Sequence, residues 1–135
     1  MTDHSEIFTL TGSELSDGLA SGQFSSEEVT KSYLSRIKEV DDKVHAFLSY
    51  DEEDMLDQAK SSDQRRASGK ILGPLDGVPV CLKDVISAKG QPLTAASKIL
   101  EKYRSPYDAT VTIKLKKAGV VVGGRLNLDE FAMGS

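Results

Sequence analysis

Two apolar segments, residues 78–86 and 120–122, flank a helix-forming stretch, and this order constrains the fold more than any other feature of the chain. Residues 78–86 are apolar apart from Pro79, Lys83 and Asp84, and read as a buried strand entered at a proline. Residues 87–107 carry mixed polarity and two prolines, which predicts an irregular crossover with one helical turn around residues 96–100. Asp108 then reads as the cap of a helix with Val111, Leu115 and Ala118 on one stripe, Lys114, Lys116 and Lys117 late in it, and Gly119 as its stop. Val120-Val121-Val122 follows as an interior strand, and residues 126–133 read as the start of a short helix. Strand, crossover, helix and strand in this order predict a parallel pair inside a larger sheet.

The first half is mainly helical. Thr11-Gly12-Ser13-Glu14 is a capping box, flanked by Leu10 and Leu15 at the positions of a hydrophobic staple, and Gly22 is the expected stop. Ser25-Ser26-Glu27-Glu28 repeats the device with Phe24 and Val29, and Val29, Tyr33, Ile37 and Val40 predict a helix running to residues 39–41. Residues 46–50 read as a short strand. Asp51, Glu52, Glu53 and Asp54 open a third helix, with Arg65 and Arg66 suited to its other end. Residues 69–77, with Gly69, Gly73, Pro74 and Gly77, form a turn-rich connector.

Composition removes several classes of function. At 135 residues with 39% hydrophobic side chains, the chain is too apolar for a disordered polymer, and it is one domain's worth at most. No apolar run nears the roughly 18 residues of a membrane span, and Met1-Thr2-Asp3-His4-Ser5-Glu6 lacks the pattern of a secretory signal. One cysteine excludes an internal disulfide and fits a reducing, cytoplasmic compartment. Two histidines, His4 and His45, are too few for most zinc sites. A net charge of −4 gives no electrostatic footprint for nucleic acid on this segment.

Lys83 is the candidate catalytic residue. It interrupts Val80-Cys81-Leu82 and Val85-Ile86, so it is expected to point from an apolar strand into desolvated space, where burial disfavours the ammonium and favours a proton-accepting amine. The alternative is a lysine guarding an edge strand, its stem on apolar surface and its head in water. Cys81, two residues earlier, shares that face and is either a small buried hydrophobe or a thiol activated by the cation. Asp84 faces the other way and is expected to fix the strand end through a hydrogen bond. Ser35-Arg36-Ile37-Lys38 fits S-x-x-K, but its companion motifs are absent and it reads as a solvated helix face. Gly123-Gly124 lacks the third glycine of a dinucleotide fingerprint and reads as close backbone packing or a bend.

Gly73-Pro74-Leu75-Asp76-Gly77-Val78-Pro79-Val80-Cys81-Leu82-Lys83-Asp84 resembles the lysine-bearing motif of the amidase signature family. Asp108-Ala109-Thr110-Val111 and Gly124-Arg125-Leu126-Asn127-Leu128-Asp129-Glu130-Phe131-Ala132-Met133-Gly134-Ser135 follow in the family's order. Within the family, the last segment and the capped N-terminal helices resemble the A subunits of glutamyl-tRNA(Gln) amidotransferases. The resemblance implies an α/β fold, the N-terminal part of the amidase signature fold, with helices packed on a mixed, partly parallel sheet that is incomplete here. It implies one incomplete domain over residues 1–135, mainly helical in 1–70 and strand-crossover-helix-strand in 71–135.

The resemblance also implies chemistry. A neutral lysine takes a proton from a serine held by a cis peptide, which activates a nucleophilic serine against the side-chain amide of glutamine. Ammonia then passes to a partner subunit that amidates Glu-tRNA(Gln). Of that triad only Lys83 maps onto this sequence; both serines belong to a later glycine- and serine-rich stretch. The implied partners are the B and C subunits of a heterotrimer, glutamine and, through the partner, Glu-tRNA(Gln), with no membrane. No cofactor is expected on this chain, ATP and Mg being implied for the partner subunit. The ending after a nearly terminal apolar strand predicts a chain cut mid-domain and inactive alone. Two rival expectations remain: a small-amide amidase of the same family, and a non-catalytic interaction chain.

Overall fold

The computed structural model describes residues 4–134. Met1, Thr2 and Asp3, which enter the reading of the N-terminus, and Ser135, the last residue of the third motif, lie outside the described residues. Helix α1 spans Gly12–Ser21, α2 Ser26–Val44, α3 Glu52–Ala67 and α4 Thr110–Lys117, and the strands are β1 Phe47–Ser49, β2 Pro79–Lys83 and β3 Val121–Leu126. The sheet order is β1-β3-β2, with β2 parallel and β1 antiparallel to the central β3. The fold is therefore α/β with a mixed, partly parallel sheet, as the sequence order of elements requires.

Both capping boxes form. The Glu14 N–H donates to the Thr11 hydroxyl while the Glu14 carboxylate accepts from the Thr11 N–H at 2.7 Å. Ser25 and Glu28 exchange the same pair of bonds at 3.1 and 2.7 Å. Gly22 closes α1 in the left-handed region at φ 72°, where a Cβ is disfavoured. The staple residues Leu15, Phe24 and Val29 join Ile7, Leu19 and Val78 in one buried cluster. Helix α2 continues past the predicted residues 39–41 to Val44, because His45 takes the left-handed capping conformation and its N–H bonds the Asp41 carbonyl. Ser35 and Lys38 lie on the exposed face, Lys38 paired with Glu52.

Helix α3 packs on β3 and supplies what the short β1 cannot. The Val122 N–H donates to the Gln58 Oε1 at 2.8 Å, and the Gln58 amide donates to the Val122 carbonyl at 3.1 Å. A side-chain carboxamide thus occupies the place of a neighbouring strand and satisfies buried main-chain groups. Gly124 permits the close approach of β1: a Cβ there would lie 2.6 Å from the Phe47 ring. The close-packing reading of Gly123-Gly124 is what the structure has.

Three local expectations are corrected. Asp108 does not cap α4; Ala109 occupies that position without a side-chain bond, because the Asp108 carboxylate already accepts from the Lys89 N–H and the Lys116 ammonium. Of the predicted stripe, Leu115 and Ala118 pack against the core but Val111 is exposed, and the helix buries Thr112, whose hydroxyl donates to the Ser87 carbonyl at 2.7 Å. Residues 126–133 do not start an α-helix: β3 runs on to Leu126, and a tight turn at Glu130–Ala132 follows with Phe131 and Ala132 both at positive φ. The crossover behaves as expected, with one helical turn at Lys98–Leu100.

Candidate active site

The chain's one buried arginine–aspartate pair with both partners enclosed lies directly beside Lys83, among the described residues. Asp84 Oδ1 accepts from Arg125 Nε at 2.9 Å, and the two side chains are only 1% and 2% exposed. Asp84 Oδ2 accepts from the Thr94 N–H at 2.9 Å and from the Thr94 hydroxyl. The Arg125 guanidinium also donates to the Ile86 carbonyl at 2.5 Å and the Lys83 carbonyl at 3.3 Å. The expected role of Asp84, fixing the strand end, is thereby filled. Sequence reasoning did not single out Arg125 or Thr94. The usable signal was an arginine inside the run Val120 to Leu126, where a charge needs a partner.

Lys83 ends β2 and sits opposite Leu126 in the parallel ladder. Its Nζ donates to the Asn127 carbonyl at 2.9 Å. Asn127 is itself anchored: its N–H donates to the Ala46 carbonyl at 2.8 Å and its side-chain amide to the His45 carbonyl at 3.3 Å. Lys83, His45, Ala46 and residues 126–128 line an open depression of about 420 Å³. It lies at the carboxyl ends of two parallel strands, where α/β folds place their ligands.

The expectation of a desolvated Lys83 is not met, because the side chain is exposed. The reason is topological. β2 is an edge strand of the described sheet, Val80, Cys81 and Ile86 are only half-buried, and Val85 is exposed. An apolar sequence context says that a strand is buried somewhere, but not which of its side chains a neighbouring element covers.

Cys81 is half-buried rather than fully enclosed. Burial pushes the thiol pKa up, more than the Gly124 N–H beside the sulfur draws it down, so the thiolate needed for nucleophilic attack is disfavoured. A larger opening, about 950 Å³, lies on the Met55 and Gln58 side of β3 and does not include Lys83. Its size carries no chemistry by itself.

The sequence profile of the family described as Amidase matches residues 28–135. The chain belongs to the amidase family. It is 55% identical over 130 residues to the glutamyl-tRNA(Gln) amidotransferase A subunit of Thermobifida fusca (strain YX), covering 96% of this chain and 26% of that protein. Against the corresponding protein of Streptomyces coelicolor (strain ATCC BAA-471 / A3(2) / M145) the identity is 52%, over 97% of this chain and 26% of the relative. The native peptide amidase from Stenotrophomonas maltophilia superposes with a TM-score of 0.84 at 34% identity, covering 89% of this chain and 25% of that structure. This amidase chain thus spans about a quarter of the length of the curated relatives it matches (26%). No helix among its described residues is long and apolar enough to cross a membrane.

Proposed function

We propose that this chain is the lysine-bearing part of a glutamine-hydrolysing subunit, and that residues 1–135 form one incomplete amidase-type domain whose mainly helical 1–70 supports the site in 71–135. Lys83 is the proton acceptor at the deep end of a serine–serine–lysine relay. Its amine receives the proton of a bridging serine, which takes that of the nucleophilic serine as its oxygen attacks the glutamine side-chain carbonyl. The C–N bond then breaks, the relayed proton returns to the leaving nitrogen, and ammonia departs from an acyl-enzyme that water hydrolyses. Both serines come from outside this chain. B and C subunits, Glu-tRNA(Gln), ATP and Mg belong to the proposed cytoplasmic complex, and no step is assigned to them here. Among the described residues no group of three histidine, cysteine or acidic side chains is gathered as a metal site.

The carrying observation is the presentation of Lys83 at the carboxyl end of two parallel strands, on a floor fixed by Asn127, within a sequence 55% identical to an amidotransferase A subunit. Exposure of Lys83 in this quarter-length chain fits a wall supplied by the rest of the full-length protein, which would remove water from the amine.

The test is Lys83→Met in the full-length protein, in complex with its B and C partners. Glutamine-dependent ammonia release is expected to fall by about 10³-fold or more, as when a member of a catalytic triad is removed. Amidation supported by added ammonium chloride is expected to persist. Undiminished glutaminase activity would overturn the reading. The likeness to a peptide amidase favours, as the second reading, hydrolysis of small amides without a tRNA partner; failure of the full-length protein to co-purify with B and C subunits, with turnover of simple amides, would select it.

A further inference from the structure

We infer that Asp84 and Arg125 are positioning residues for Lys83, and that their pair sets the end of β2 against the left-handed turn at residues 95–96. The inference rests on the proposed relay role of Lys83 and goes beyond it by assigning the residues that hold that amine in place.

The peptide that joins Lys83 to Asp84 is tied both to this pair and to β3. The Asp84 N–H donates to the Leu126 carbonyl at 3.0 Å, which fixes the peptide joining Lys83 to Asp84. The Lys83 carbonyl accepts from Arg125 at 3.3 Å and from the Ile86 N–H at 2.9 Å. Arg125 also reaches Gln91 Oε1 at 3.4 Å, so one guanidinium grips the turn after β2 and the crossover together. The planar fork of arginine suits this divided task, which a lysine point charge could not perform.

Asp84 also holds a strained turn, to which a second is bonded. The Asp84 carbonyl accepts from the Ala95 N–H at 3.0 Å, and its carboxylate holds Thr94. Ala95 and Ala96 have φ 50° and 53°, and Phe131 and Ala132 have φ 56° and 54°, values unfavourable for residues with a Cβ. The two turns are joined: the Phe131 N–H donates to the Ala95 carbonyl at 2.9 Å, and the Ser97 hydroxyl to the Glu130 carboxylate at 2.6 Å. Left-handed non-glycine residues persist only where surroundings over-determine them; Asp84 holds the turn at residues 95–96 directly, and the turn at 131–132 is bonded to that first turn. A buried ion pair adds little net stability over a well-packed apolar pair, so geometry is what this one supplies.

The test uses the full-length protein with its B and C partners. Thr94→Val removes the hydroxyl bond to Asp84, and with it the bond the hydroxyl accepts from the Ala96 N–H, while keeping shape and the ion pair. It is expected to lower kcat for glutamine hydrolysis about threefold to tenfold with KM unchanged, the signature of lost alignment rather than lost binding. Asp84→Asn with Arg125→Gln removes both charges, so neither is left buried and unpaired. Its thermal midpoint is expected to recover relative to Arg125→Gln alone, while kcat stays about tenfold or more below wild type. Recovery of kcat together with the midpoint would overturn the inference, as would wild-type kcat in Thr94→Val. Lys83→Met is measured beside them. If it alone loses activity, the relay reading stands and this inference falls; if it keeps activity, both fall.

Discussion

Among the described residues two arginine–aspartate pairs tie separate segments together, and they do so differently. Arg65 and Asp76 join the end of α3 to the connector before β2, across eleven residues, with Arg65 still 28% exposed and Asp76 enclosed. Arg125 and Asp84 are 41 residues apart and both are enclosed. The first pair is a clasp on a loop: Asp76 also accepts the Leu72 N–H at 3.0 Å, and its main-chain carbonyl takes a bond from Arg66. The second is a junction of two strands and the crossover. Enclosure of both charges is tolerated only where every remaining donor and acceptor has a partner, and that condition fixes geometry at the position next to Lys83.

The sharpest way to break the comparison is to delete each guanidinium. Arg125→Met leaves a carboxylate buried without its counter-charge and is expected to cost about 3–5 kcal/mol in denaturant unfolding. Arg65→Met leaves Asp76 with its Leu72 bond and a side open to water where Arg65 lay, so about 1–2 kcal/mol is expected. Equal losses would erase the distinction between clasp and junction.

A smaller effect comes from acid. Burial alone would raise the Asp76 carboxyl pKa, but the Arg65 guanidinium and the Leu72 N–H outweigh it and hold the group below the ordinary carboxylate value. A depressed folded-state value means stability that is fully present above the unfolded pKa of about 3.9 and lost as pH falls through the folded one. Urea midpoints followed from pH 5 to pH 2 should therefore decline in wild type, with a shallower decline in Asp76→Asn. Identical acid limbs in the two proteins would show that Asp76 contributes nothing to the acid response.

Legibility in the sequence tracks the range of the interactions. The helices of the first half announce themselves because Thr11–Glu14 and Ser25–Glu28 satisfy their own backbone within three residues. The parallel pair was legible too, since an apolar segment, a helix and a second apolar segment have few ways to pack. The covering of each strand face was not. Lys83 lies in an apolar context yet is exposed, because burial depends on which element lies over it, and β2 is an edge strand of the described sheet. The partner of Arg125, the role of Thr94 and the joined turns at residues 95–96 and 131–132 were illegible for the same reason. Their partners are 10 to 41 residues away, and nothing local selects them. Asp108 shows the converse: a good local capping signal is lost because the carboxylate is taken by the Lys89 main-chain N–H and by the ammonium of Lys116, whose bond pairs two charges.

The relay reading turns on whether the amine of Lys83, open in this stretch, is enclosed in the complete protein. Reductive methylation of the full-length protein, read by peptide mass spectrometry, measures this against Lys98 and Lys114, which are exposed on the same chain. Lys83 is expected to be modified distinctly more slowly than those two references, and its modification is expected to track the loss of glutaminase activity. Modification of Lys83 as fast as Lys98, with activity retained, would contradict an enclosed relay lysine.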